Sequence, residues 1–158
     1  TNKTYLLSYD PITGKLSKYI ADFPTPELIG KRGAVLTPHI GASTDEAEEN
    51  CAIMAAVQLK DFLENGNIKN SVNFPPLYLE RTSQSGSVRL SISNRNVPKI
   101  LGSILSILAD ENINVIDMLN KSREDIAYNL IDLQSSPPEQ VLEIMRKIDG
   151  VVNVRLIG

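Results

Sequence analysis

Val88-Arg89-Leu90-Ser91-Ile92-Ser93, followed by Asn94-Arg95-Asn96-Val97-Pro98, decides the fold of this chain. Val88, Leu90 and Ile92 alternate with Arg89, Ser91 and Ser93, the period-two pattern of a half-buried strand. Pro98 then sits in the first turn of a helix expected over Asn96 to Glu111, where its missing N–H costs nothing. Ile100, Leu101, Ile104, Leu105, Ile107 and Leu108 give that helix one apolar face. Asn114 to Lys121 and Ile126 to Leu133 read as strands joined by the turn Ser122-Arg123-Glu124-Asp125. Ser136-Pro137-Pro138-Glu139 caps a second helix with Val141, Leu142, Met145 and Ile148 inward. Gly150 ends it, and Val151 to Ile157 is a last strand.

The order βαββαβ predicts an α+β ferredoxin-like sandwich, two helices on one face of a four-stranded antiparallel sheet. Upstream, Arg81 to Ser87 is polar and rich in Gly and Ser, which marks a linker between residues 1–80 and 88–158. The earlier part reads as the end of an α/β domain, with strands at Lys18 to Asp22 and Ala34 to Thr37. Ser43-Thr44-Asp45-Glu46 forms a capping box, Ser43 reaching the Glu46 N–H, and the acids that follow suit the positive end of a helix. Ala47, Cys51, Met54, Ala55, Leu59 and Phe62 line one face of that helix, and Asn65-Gly66 closes it. Pro75-Pro76 forbids helix and makes Ser71 to Pro76 extended.

With 158 residues, one medium domain or two small ones are possible. An apolar content of 42% supports a packed core. No apolar run approaches membrane-spanning length and no signal-peptide pattern opens the chain, so the expectation is a cytoplasmic protein. A single cysteine excludes an internal disulfide and a cysteine-rich zinc site, and no metal site is expected. Cys51, on the apolar side of its helix, is expected to be a buried inert thiol. A net charge of −3, with scattered Lys and Arg, argues against a nucleic-acid partner.

The one histidine lies in Thr37-Pro38-His39-Ile40-Gly41-Ala42-Ser43-Thr44. Ala34-Val35-Leu36 runs into it, and Pro38 keeps Thr37 extended. His39 thus falls at a strand's carboxyl end, where open α/β sheets bind ligands, with a side chain suited to proton transfer near neutral pH. Its plain alternative is a loop histidine bonded to backbone. The segment resembles the histidine motif of the D-2-hydroxyacid dehydrogenases. The likeness continues through Asp45-Glu46-Ala47-Glu48-Glu49-Asn50, Gln58-Leu59, Phe62-Leu63, Gly66 and Ser71-Val72-Asn73-Phe74-Pro75, and there it is to the D-3-phosphoglycerate dehydrogenases. Thr1 to Thr13 resemble nothing recognisable.

That resemblance implies the remnant of a doubly wound nucleotide-binding domain, NAD as the parent enzyme's cofactor, and His39 as general acid/base for the substrate 2-hydroxyl. Glu27, in Asp22-Phe23-Pro24-Thr25-Pro26-Glu27, resembles the family's carboxylate partner of that histidine with one residue shifted; otherwise it is an exposed loop acid. No Gly-x-Gly-x-x-Gly occurs, so no dinucleotide fingerprint is present. A complete dehydrogenase needs about twice this length. The chain is therefore expected to be either a fragment of a longer polypeptide or a regulatory piece without catalysis, inactive and without NAD affinity on its own.

Ser93-Asn94-Arg95-Asn96-Val97-Pro98, with Asn114 opening the next strand, resembles an ACT domain, a regulatory module that binds amino acids. The resemblance implies L-serine as effector, held by Asn94, Asn96 and Asn114 across a self-associated pair. All three are also ordinary turn and cap residues. Lys99 stands where the family usually has glycine, and Gly102 follows within the helix. Two competing readings are a non-catalytic amino-acid-binding module and a purely structural dimerisation domain.

Overall fold

The computed structural model describes residues 4–9, 16–82 and 84–158, with the backbone alone for 4–9, 16 and 17. Two compact units form, Thr1–Ile53 and Met54–Gly158, and their boundary falls inside a helix.

In the first unit β1 (Thr4–Tyr9) pairs antiparallel with β2 (Leu16–Ala21), which pairs parallel with β3 (Ala34–Leu36). Parallel neighbours need a crossover connection. Residues 22–33 supply it, with a 3-10 turn at Pro26–Leu28 and left-handed glycines at Gly30 and Gly33. Helix α1 (Asp45–Asn65) follows. Its cap is Thr44 rather than Ser43: the Ala47 N–H donates to Thr44 Oγ1 at 3.2 Å. That is the reach of a residue directly before the first turn. Cys51 is exposed, not buried, as are Ala47's neighbours on the first turns of α1, none of whose residues is buried.

The second unit contains β4 (Val88–Arg95), α2 (Ile100–Asp110), β5 (Val115–Arg123), β6 (Ile126–Leu133), α3 (Glu139–Arg146) and β7 (Val151–Ile157). The sheet runs β5-β6-β4-β7 with every pair antiparallel, which is the ferredoxin-like order expected from sequence. Leu90 and Ile92 of β4, Ile131 and Leu133 of β6, and Val154 of β7 meet Ile100, Ile104 and Leu108 of α2 and Val141, Leu142 and Met145 of α3. Each such side chain taken from water contributes about 1.5–3 kcal/mol, so this layer dominates the unit's stability.

Three local expectations change. Helix α2 begins at Ile100, not Asn96, because Lys99 adopts the left-handed region at φ +78°. A residue in that conformation interrupts the helical run. Ser136 does not cap α3; Pro138 precedes it, and its carbonyl accepts the N–H groups of Val141 and Leu142. Residues 71–76 form bends rather than a strand, with the Ser71 hydroxyl accepting from the Phe74 N–H, and pairing is limited to a bridge between Ile68 and Leu77.

The larger difference concerns β4. Its alternating pattern predicts one wet face, yet Arg89, Ser91 and Ser93 are all buried, at 0%, 5% and 9% exposure. The end of α1 and the segment after it cover that face. Ile68 and Leu77 pack on Tyr128 and Leu130, with Phe62, Phe74, Leu79 and Leu119 around them. Arg89 fixes the cover: it donates to both Asp132 carboxylate oxygens and to the carbonyls of Asn65, Leu79 and Glu80. Gly66 (φ +75°) turns the chain here, and a Cβ on it would come within 2.7 Å of Leu130 Cδ2. Residues 66–80, read from sequence as part of the first domain, therefore lie in the second unit.

Candidate functional site

His39 sits three residues beyond β3, whose parallel register sets Leu36 beside Ala21. The Thr37 N–H donates to the Ala21 carbonyl, so the two strand ends stay together past the last pair. Asp22 follows β2 directly and meets the histidine there: Asp22 Oδ2 lies 2.7 Å from His39 Nδ1. The Phe23 ring packs against the imidazole at 4.2 Å between centroids. His39 is exposed, with Nδ1 engaged and Nε2 making no hydrogen bond to a described residue. An imidazole oriented by a carboxylate on one nitrogen can exchange a proton at the other.

The carboxylate that meets His39 is thus Asp22 and not Glu27. Glu27 lies exposed in the 3-10 turn, where a hydrogen bond from Thr25 and one from its own backbone N–H hold its carboxyl below the usual range. Asp22 ends the segment read from sequence as a strand, Lys18 to Asp22, but its meeting with His39 rests on the parallel pairing of β2 with β3, and the family pattern drew attention to Glu27 instead.

The three amides are not brought together within one chain. Asn94 is 4% exposed and its amide is engaged internally: Nδ2 donates to the Arg95 carbonyl at 2.7 Å, and Oδ1 accepts from Asn129 Nδ2 at 2.7 Å. Asn129 Oδ1 in turn accepts from Asn120 Nδ2, so a ladder of amides crosses β4, β6 and β5. Asn96 is exposed, with Nδ2 donating to the Glu124 carbonyl at 3.1 Å. Asn114 is exposed just before β5, eight residues ahead of Ser122, the position level with Asn94 through Ala127. At about 3.3 Å per strand residue that is roughly 25 Å away along the sheet. Within one chain Asn114 and Asn96 therefore lie at opposite ends of the sheet.

The fold places the second unit in the class of ACT domains, whose family model matches residues 88–150. Curated relatives that match about four-fifths of the chain are D-3-phosphoglycerate dehydrogenases. D-3-phosphoglycerate dehydrogenase 2 of Saccharomyces cerevisiae is 35% identical over 138 residues, covering 84% of this chain and 29% of that protein. The Escherichia coli K12 enzyme is 32% identical over 125 residues, 78% of this chain and 30% of that protein. The chain thus spans about three-tenths of the length of the curated relatives it matches. Among solved structures, the ACT domain of GTP pyrophosphokinase from Chlorobium tepidum covers 44% of the chain at 12% identity and TM-score 0.40. Among the described residues no helix is long and apolar enough to cross a membrane, and no three potential metal ligands cluster.

Proposed function

We propose that the chain is the C-terminal portion of an NAD-dependent D-3-phosphoglycerate dehydrogenase of the cytoplasm. The complete enzyme would oxidise 3-phosphoglycerate to 3-phosphohydroxypyruvate for L-serine biosynthesis, with this ACT domain as its amino-acid-binding regulator. The observation that carries the reading is the 84% alignment with the yeast enzyme, which at that coverage must take in His39, Asn96 and Asn114 together.

NAD would supply the redox chemistry of the complete enzyme, but this chain's residues do not fit it. No Gly-x-Gly-x-x-Gly is present. The N-terminus of α1 is already capped by Thr44 and carries Asp45, Glu46 and Glu48, which repel a pyrophosphate. What the chain supplies is a proton acceptor. Oxidising a secondary alcohol to a ketone releases the hydroxyl proton; His39 Nε2 takes it while Asp22 stabilises the imidazolium on the other nitrogen.

L-serine is the effector in this reading. Asn96 at the β4–α2 turn and Asn114 of a second copy bind it, and Asn94 holds the turn from within. Calorimetric titration of the chain with L-serine tests this. Saturable binding that Asn114→Ala weakens by about 1–3 kcal/mol is the expected result, the cost of a lost polar partner. No binding of serine, glycine or a branched-chain amino acid would leave the domain a structural dimerisation module.

A further inference from the structure

We propose that the sheet face opposite α2 and α3 holds a second binding site, for a small carboxylic acid with an aromatic or branched apolar body. It is separate from the Asn96 and Asn114 positions, since the residues of β4 that form it point away from the two helices. Between this face and the covering segment lies a cavity of about 470 Å³, lined by residues from Gln58 to Arg155. That volume falls within the roughly 300–1,000 Å³ of small-molecule sites.

Its walls are apolar and aromatic. Phe62, Ile68 and Phe74 line it, and Phe74 meets Tyr128 edge-on with centroids 5.8 Å apart. Its floor is polar at a few points only. Ser93 is 9% exposed, and its hydroxyl makes no hydrogen bond to a described residue. Among the described residues no fully enclosed side-chain polar atom lacks a partner, so this hydroxyl opens into the cavity it lines. Ser91 makes a long bond, 3.4 Å, to the Arg155 carbonyl and also faces Tyr128. Hydroxyls this far from bulk water are normally satisfied, which makes Ser93 a ready partner for an oxygen of a molecule in the cavity.

The charge at the cavity identifies that molecule's polar end. Arg155 is held in place: its guanidinium lies 4.6 Å over the Phe62 ring, and Nη2 donates to the Phe62 carbonyl at 2.6 Å. Neither Arg155 nor Lys69 forms an ion pair with a described residue, and no Asp or Glu lines the cavity. A fixed guanidinium with donors to spare matches a carboxylate, and Ser93 then reaches the same group or a neighbouring oxygen. The rings and Ile68 take the apolar body.

Titrating the full chain with phenylacetate and with phenylacetamide, followed by backbone amide NMR, tests the site. Shifts should centre on Ser91, Ser93, Ile68 and Asn153, and the acid should bind about tenfold more tightly than the amide, the worth of one charge-assisted hydrogen bond. Arg155→Gln should erase the difference between acid and amide. Ser93→Leu, which fills the cavity, should abolish binding of both. Equal binding of acid and amide by the unaltered chain, shifts confined to Asn96 and Asn114, or no saturable shift would overturn the proposal without reliance on either variant. Loss of serine binding at Asn114 leaves these results unaffected, so the two sites fail independently.

Discussion

Lys99 occupies a backbone position built for a residue without a side chain. Its φ is +78°. That left-handed conformation costs a non-glycine residue about 1–2 kcal/mol. The side chain is exposed, so no packing offsets that cost, although its carbonyl still accepts the Ser103 N–H. Lys99→Gly should therefore stabilise the domain by about 0.5–1 kcal/mol in urea denaturation, after glycine's greater freedom in the unfolded chain is subtracted. An unchanged midpoint would show that the lysine relaxes without strain. The strain was half legible: the family pattern flags a missing glycine, but only the dihedral says why one belongs there. His39 shows the same division. Its place after a strand could be read from Ala34-Val35-Leu36, whereas its carboxylate depends on β2 lying parallel to β3, a pairing no local pattern announces. In the complete enzyme His39→Ala should lower kcat about 100-fold or more, and Asp22→Asn about tenfold. Glu27→Gln should leave kcat unchanged in steady-state assays; a loss equal to that of Asp22→Asn would return the pairing role to Glu27.

At the scale of elements, the order of all six and the limits of β6 and β7 followed from hydrophobic period, whereas α3, expected to be capped from Ser136 and ended by Gly150, spans only Glu139–Arg146. Strand β4 was read correctly in extent at its start but misread in burial. Its second face is covered by residues 62–80, and alternation reports which face is more apolar, not whether the other is dry. Arg89 is where the two meet, a fully buried cation bound through two bonds to Asp132 and by three carbonyls from the cover. Removing one member of such a pair strands the other charge. Arg89→Ala should cost about 3–5 kcal/mol in urea denaturation, while Arg89→Met with Asp132→Leu should recover most of that loss, since an apolar pair carries no desolvation penalty. A double variant as unstable as the single would show that the carbonyls of Asn65, Leu79 and Glu80, rather than Asp132, carry the energy.

For the molecule as a whole, the covered face changes what can be cut away. Sequence alone places the division at 81–87, and a domain beginning there would keep all of α2, α3 and the four strands. It would lose Ile68 and Leu77, which are 8% and 1% exposed, and the three carbonyls that satisfy Arg89. The two apolar side chains alone contribute about 1.5–3 kcal/mol each, against a total stability for a small domain of only about 5–15 kcal/mol. A fragment starting at Gln84 should therefore unfold at least about 3 kcal/mol more easily than Met54–Gly158, and the longer fragment should unfold in one cooperative step. Strands β5 and β7 are the sheet's edges in both, and an unpaired edge invites a second copy of the chain. Sedimentation of Met54–Gly158 should accordingly show a dimer, with amide exchange slowed along one edge strand. Slowing at β5 would set Val115 to Arg123 at the seam and bring Asn114 with it, as an effector site shared between copies requires. Protection along β7 alone would leave Asn114 away from the seam, and the serine site would have to be sought elsewhere.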